Sequence, residues 1–193
     1  MPTSKRIEKM RMVLKNRQPD LSIICENIHD PHNVSAILRS CDSVGVQQVY
    51  LLYNHEEFPK LGKKSSASAK KWIETIKVKN EIELREKLKS EGRTIYATHI
   101  NQKADSVFNV DWTQPSAIIV GNEHRGVSEK ALNIADRNVY IPMFGMIKSL
   151  NVSVAAAVIL YESARQRIKM GMYPNNLLSE DWIEHRLKLW REI

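Results

Sequence analysis

Ile141 to Arg167 reads IPMFGMIKSLNVSVAAAVILYESARQR. The stretch passes from an expected strand end through a loop containing Gly145 and a Ser-Leu-Asn turn into the most apolar helix of the chain, expected over 152–169. Ligand-binding backbone would therefore sit directly on the most deeply buried element. Ser149 and Asn151 stand where the first amides of that helix have no intrahelical acceptor, so capping alone accounts for either residue. It does not account for Phe144 to Lys148, an ordered-looking loop rich in Gly and Met beside a buried helix.

Working outward, the pattern predicts an amphipathic helix over 4–16, with Ile7, Met10, Val13 and Leu14 on one side and basic residues on the other, ended by Pro19-Asp20. Leu21 to Cys25 is an apolar strand, and Asn33 to Val44 carries Val34, Ile37, Leu38 and Cys41 at helical spacing. Strands follow over Val49 to Leu52, Ile76 to Val78, Thr94 to Thr98, Ala117 to Val120 and Val139 to Ile141. Asn80 with Glu83 forms a capping arrangement for a helix that stops at Gly92, Ser128 caps a short helix through Leu132, and Ser179 caps a last one over 179–192. Strands alternating with helices predict an α/β fold, with a mostly parallel sheet and flanking helices. At 193 residues, without repeats or a Ser/Gly-rich linker, the expectation is one domain over 1–193.

The longest apolar run, Val154 to Tyr161, is far short of the roughly 20 residues a membrane span requires, and Met1 to Asp20 lacks the apolar core of a signal peptide. No membrane association and a cytoplasmic location are expected. Cys25 and Cys41 have no metal-binding spacing and read as buried free thiols. His29 and His32 lack acidic or cysteine partners, so no metal site is expected. The net charge of +7 is uneven: six basic residues against two acids in Met1 to Asp20, and seven lysines against one glutamate in Lys60 to Lys79. The remainder is slightly acidic, so the positive field is focused in two patches, as a polyphosphate ligand favours and as solvated helix faces also produce.

Two further motifs matter. In Asn33-Val-Ser-Ala-Ile-Leu-Arg39, Arg39 falls nearly opposite the apolar stripe at about 100° per residue, so it faces away from its own core. Asn33 is placed to be an N-cap. Gly121-Asn-Glu-His-Arg-Gly126 lies between a strand and a helix and imitates a dinucleotide fingerprint. Glu123 occupies the position where a glycine would let backbone approach a pyrophosphate, and its carboxylate would repel phosphate. The loop thus suits a ligand without phosphate, or a substrate hydroxyl or amine.

Together the Asn33/Arg39 motif, Gly121 to Gly126 and Ile141-Pro-Met143 with Ser149-Leu-Asn151-Val-Ser closely resemble the SPOUT class of RNA 2'-O-ribose methyltransferases, in particular the TrmH-type tRNA guanosine enzymes. The resemblance covers nearly the whole chain, with no departure at the motif positions. It implies a C-terminal deep trefoil knot, a homodimer, and S-adenosylmethionine held by Thr98, Gly121, Asn122, Ile141, Met143, Ser149, Leu150 and Asn151. It implies a D-loop guanosine of tRNA as substrate. It gives the central catalytic role to Arg39, with Asn33, Glu123, Ser149 and Asn151 orienting it, the ribose and the methionyl end. A guanidinium is a reluctant base, so two roles stay open for Arg39: accepting the ribose proton with help from substrate phosphate, or stabilising the developing alkoxide and clamping the phosphate. Arg11, Arg17, Lys63, Lys64, Arg165 and Arg167 are the expected phosphate contacts. The alternatives are a ribosomal RNA methyltransferase of the same fold and a non-catalytic RNA-binding protein.

Overall fold

In a computed structural model, which describes residues 3–59 and 69–192, seven parallel strands form one sheet in the order β3-β2-β1-β6-β4-β7-β5. In chain order the elements are α1 (Ser4–Lys15), β1 (Gln18–Glu26), α2 (Pro31–Ser43), β2 (Val46–Leu52), α3 (Ala69–Trp72), β3 (Glu74–Val78) and α4 (Glu81–Ser90). There follow β4 (Thr94–Thr98), β5 (Asp105–Ser106), β6 (Ser116–Val120), α5 (Glu129–Ile134), β7 (Arg137–Tyr140), α6 (Val152–Lys169) and α7 (Glu180–Arg191).

The central strands are continuous apolar runs because both of their faces are covered. Leu21, Ile23 and Cys25 of β1 point to the core shared with α2 and α6, whereas Ile24, between them, joins Ile119 and Ile95 in the core under α4 and α5. Burial raises the pKa of the Cys25 thiol to about 12 and also raises that of Cys41, which makes both inert as nucleophiles.

Caps form at Asn80 and Ser128, as expected, and Ser179 accepts from Trp182 N to start α7. Three differences bear on the argument. Pro19-Asp20 lies inside β1 rather than closing α1; the ladder register shifts between Gln18 and Ser22, so proline takes a place where no regular ladder donor is needed. The α2 cap is Asp30, with Pro31 at the first helical position, so Asn33 is not an N-cap. The strand β5 is only two residues long and left no periodic signal. Lys60 to Ser68 of the basic segment, including Lys63 and Lys64, falls outside the described residues.

The terminal helices pack on each other. Met10 and Leu14 of α1 meet Ile183, Leu187 and Trp190 of α7, and Arg11 bonds to Glu180 and Glu184 across the pair. None of the described helices is long and apolar enough to cross a membrane.

Candidate functional site

Beyond the C-terminal ends of β4, β6 and β7 lies a cavity of about 620 Å³. Such crevices, where neighbouring strands lead their loops apart, are the usual ligand positions of open α/β sheets. Thr98, Gly121, Asn122, Ile141, Met143, Ser149, Leu150 and Asn151 all line it, as do Glu123 and the unanticipated Lys148 and Arg125. Val107, Val120 and Ile159 supply apolar wall. Val107 follows the two-residue strand and carries no motif, so the sequence offered nothing to find it by. Among the described residues, no hydrogen bond of the protein engages the backbone between Met143 and Leu150, which leaves its donors and acceptors free for a ligand.

Gly121 to Gly126 is a closed turn. Asn122 N donates to Gly126 O at 3.0 Å and Gly126 N to Asn122 O at 2.8 Å, with Gly126 at φ +69°. A Cβ on Gly121 would meet the Gly126 carbonyl carbon at 2.3 Å. The glycine spacing thus serves loop closure, and the likeness to a dinucleotide fingerprint is accidental. Asn122 braces the turn: its Nδ2 donates to Asn27 O at 2.8 Å, and its Oδ1 accepts from His124 N and Arg125 N.

Glu123, thrown outward by this turn, accepts from His29 N at 2.9 Å, Asp30 N at 3.1 Å and Asn33 Nδ2 at 2.8 Å. It places a carboxylate at the N-terminus of α2, the end that favours negative charge. Burial pushes its pKa up, but the bonds from Asn33 and from the His29 and Asp30 amides outweigh burial and hold the carboxyl below its ordinary value. Asn33 in turn accepts from Asn151 Nδ2 at 3.1 Å, while Asn151 Oδ1 caps α6 by accepting from Ser153 N at 2.8 Å. One chain of hydrogen bonds, Glu123–Asn33–Asn151, therefore joins all three motifs at the cavity. Capping explains half of what Asn151 does; the other half is its donation to Asn33.

Arg39 is not brought to this place. From Asn33 it is about 9 Å along the helix axis and 120° around it, at 1.5 Å and 100° per residue. It is exposed, makes no ion pair among the described residues, and does not line the cavity of its own chain.

The phosphate-contact expectations need correction. Arg17 is fully buried, donating to Val46 O at 2.9 Å and Asp42 Oδ1 at 2.7 Å, with burial lowering its pKa. Arg167 is also fully buried, with Nε on Trp112 O at 2.9 Å and its terminal nitrogens on Gln18, Asp20 and Gln114 O. Residues two apart on a helix point in nearly opposite directions, so only Arg165 of the Arg165/Arg167 pair reaches solvent. Even Arg165 is held by Glu162 through two 2.8 Å bonds. Arg11 is committed to α7. Sequence reveals charge and helical spacing, but not an acceptor 147 residues away, as Asp20 is for Arg167.

Comparison with known proteins agrees with this geometry. The model of the SpoU rRNA Methylase family matches residues 20–161. The tRNA (guanosine(18)-2'-O)-methyltransferase of Aquifex aeolicus (strain VF5) is 43% identical over 188 residues, spanning 96% of this chain and 88% of the relative. The protein of the same name from Escherichia coli (strain K12) is 40% identical over 170 residues, 87% of this chain and 74% of the relative. Among solved structures, the A. aeolicus TrmH/SpoU tRNA modifying enzyme superposes with a TM-score of 0.90 at 40% identity, covering 97% of this chain and 95% of that one. The SpoU methyltransferase AviRb from Streptomyces viridochromogenes, solved with AdoMet, gives 0.71 at 27% identity over 88% of this chain and 67% of that one.

Proposed function

The chain belongs to the SpoU rRNA Methylase family, and on that premise we propose that it transfers a methyl group from S-adenosylmethionine to the ribose 2'-hydroxyl of guanosine 18 in the tRNA D-loop, as the names of its relatives suggest. The observation that carries the reading is that Glu123 and Asn151, both lining one cavity, are joined by hydrogen bonds through Asn33. We read residues 1–193 as one catalytic unit of cytoplasmic type. The segment from β6 to α6 would be the trefoil knot, supported by β6 lying between the earlier strands β1 and β4.

The residues present fit the cofactor. Val107, Val120 and Ile159 offer apolar faces to a flat base, and the free backbone from Met143 to Leu150 offers donors and acceptors to its edge. When bound, S-adenosylmethionine supplies an activated sulfonium methyl group. The chain's own part is alignment and charge stabilisation at the ribose oxygen. Glu123 and Asn151, tied to each other through Asn33, would orient the ribose from the cavity wall, where Ser149 also lies.

Arg39 reaches a site, in this reading, only from a second copy. An exposed apolar surface supports the homodimer: Phe144 is 96% and Met146 99% exposed, with Val154 and Tyr161 of α6 also open. Arg39 of the partner subunit, keeping its charge, would stabilise the developing negative charge on the ribose oxygen, and the hydroxyl proton would pass to solvent water. Mixing Arg39→Ala with Asn151→Ala subunits tests this. Activity returns in the mixture if Arg39 serves the partner's site, and stays absent if it serves its own.

The overall test is incubation of the protein with labelled S-adenosylmethionine and unmodified tRNA transcript, followed by mass-spectrometric mapping. Methylation at guanosine 18 is expected. Methylation of ribosomal RNA alone, or none at all, would overturn the proposal.

A further inference from the structure

A second cavity, of about 450 Å³, lies between α1 and the tryptophans Trp72 and Trp190, with Asp42 in its wall. That volume is within the range of small-ligand sites. It is at the opposite end of the strands from the first cavity, about 20 Å away along β2 at roughly 3.3 Å per residue. On α1, Arg6, Lys9, Met10 and Val13 follow i, i+3, i+4, i+7 spacing and form the wall on that side. Arg11 and Lys15 are paired with glutamates of α7. Arg6 and Lys9 are exposed and make no ion pair among the described residues.

Trp190 is buried, with the Arg17 guanidinium 5.2 Å from its ring centroid, and Trp72 meets it edge-on at 4.9 Å while remaining half-buried. Asp42 gives one oxygen to Arg17 at 2.7 Å, and its Oδ2 accepts no hydrogen bond among the described residues. An indole face, two unpaired cations at the rim and a carboxylate oxygen in the wall match three parts of a nucleotide. The indole offers stacking, the cations take phosphate, and the carboxylate accepts from a base N–H. A bare polyanion would not suit the carboxylate, and a purely structural aromatic cluster would not need the two cations.

We propose that this cleft holds one unpaired nucleotide of the RNA substrate, distinct from the methylated one, with its base against Trp72 and its phosphate on Arg6 and Lys9. The proposal rests on the RNA methyltransferase reading above.

The test measures binding of unmodified tRNA transcript by fluorescence anisotropy over a range of salt. Trp72→Leu weakens binding about tenfold and Trp72→Phe recovers most of that loss, since only the latter keeps a stacking face. Arg6→Ala/Lys9→Ala, which changes only exposed side chains, weakens binding and lowers the salt slope by about two. If the leucine and phenylalanine variants bind alike, or if the double alanine variant keeps the wild-type slope, the cleft proposal is overturned. Methyl transfer by the wild type together with unchanged Trp72→Leu binding sinks the cleft alone. Trp72-dependent tRNA binding without any methyl transfer sinks the enzymatic reading and leaves the cleft standing.

Discussion

Arg167 and Arg39 are arginines on two helices that pack against each other, yet they stand in opposite conditions. Arg167, near the C-terminal end of α6, is fully buried with every guanidinium nitrogen hydrogen-bonded. Arg39, on α2, is exposed and makes no ion pair among the described residues. The difference runs through the whole molecule. The N-terminal edge of the sheet is tied by buried guanidiniums and by the α1–α7 pair, whereas at the C-terminal edge the loop backbone from Met143 to Leu150 has no hydrogen-bond partner among the described residues. One end holds the fold and the other is left open for chemistry.

The contrast is broken most directly by removing each arginine. Arg167→Ala takes the donor from Trp112 O, Gln18 Oε1 and the part-exposed Asp20 carboxylate, while Gln114 O keeps its bond from Ser116 Oγ, and each buried acceptor left unmet costs about 1–3 kcal/mol. A large fall in Tm is expected, with little rescue by Arg167→Lys, because an ammonium cannot span the same planar set of acceptors. Arg39→Ala should leave Tm within a degree or two while abolishing methyl transfer. If Arg39→Ala instead lowers Tm as Arg167→Ala does, the division of labour is wrong.

A smaller effect is expected within the C-terminal edge, at Glu123. Its pKa is depressed below the ordinary 4.5. A depressed acid contributes stability that is fully present above the unfolded-state pKa and is lost as pH falls through the folded-state value. Thermal stability should therefore show no Glu123 contribution to its pH dependence from pH 6 to 8. Below about pH 4.5 it should decline as the carboxylate that accepts from His29 N, Asp30 N and Asn33 Nδ2 is protonated. In Glu123→Gln that part of the acid-side decline disappears, and stability at neutral pH drops by about 1–2 kcal/mol, since neutral acceptors replace charge-assisted ones. A Gln variant that retains the wild-type acid profile would show that the carboxylate is not what holds α2.

How much of this could be read from sequence follows the same division. The strands, the caps at Asn80, Ser128 and Ser179, and the bounds of α6 were legible because they depend on neighbours within a few residues. The cavity-lining set was legible only through the resemblance; nothing in the spacing of Asn33, Glu123 and Asn151 shows that they touch. The roles of Arg17 and Arg167 were misread because a basic residue near a helix end looks the same whether its acceptor is a distant carboxylate of the same chain or a phosphate. The two-residue strand β5 was missed because periodicity needs more residues than it contains.

The smallest expected effect concerns Arg165, which lies between the two conditions. Its side chain is 63% exposed, yet it is bound twice to Glu162, itself largely buried and held below its ordinary pKa first by the Arg165 hydrogen bond. A guanidinium already neutralised by a carboxylate releases less than one counterion's worth of free energy on meeting a phosphate. Arg165→Ala should therefore weaken tRNA binding by only about twofold and lower the salt slope by less than one. Glu162→Gln, which frees the same guanidinium, should instead tighten binding at low salt and steepen the slope. If Arg165→Ala reduces the slope by one or more, the Glu162 pair opens on binding RNA, and Arg165 then belongs with Arg39 rather than Arg167.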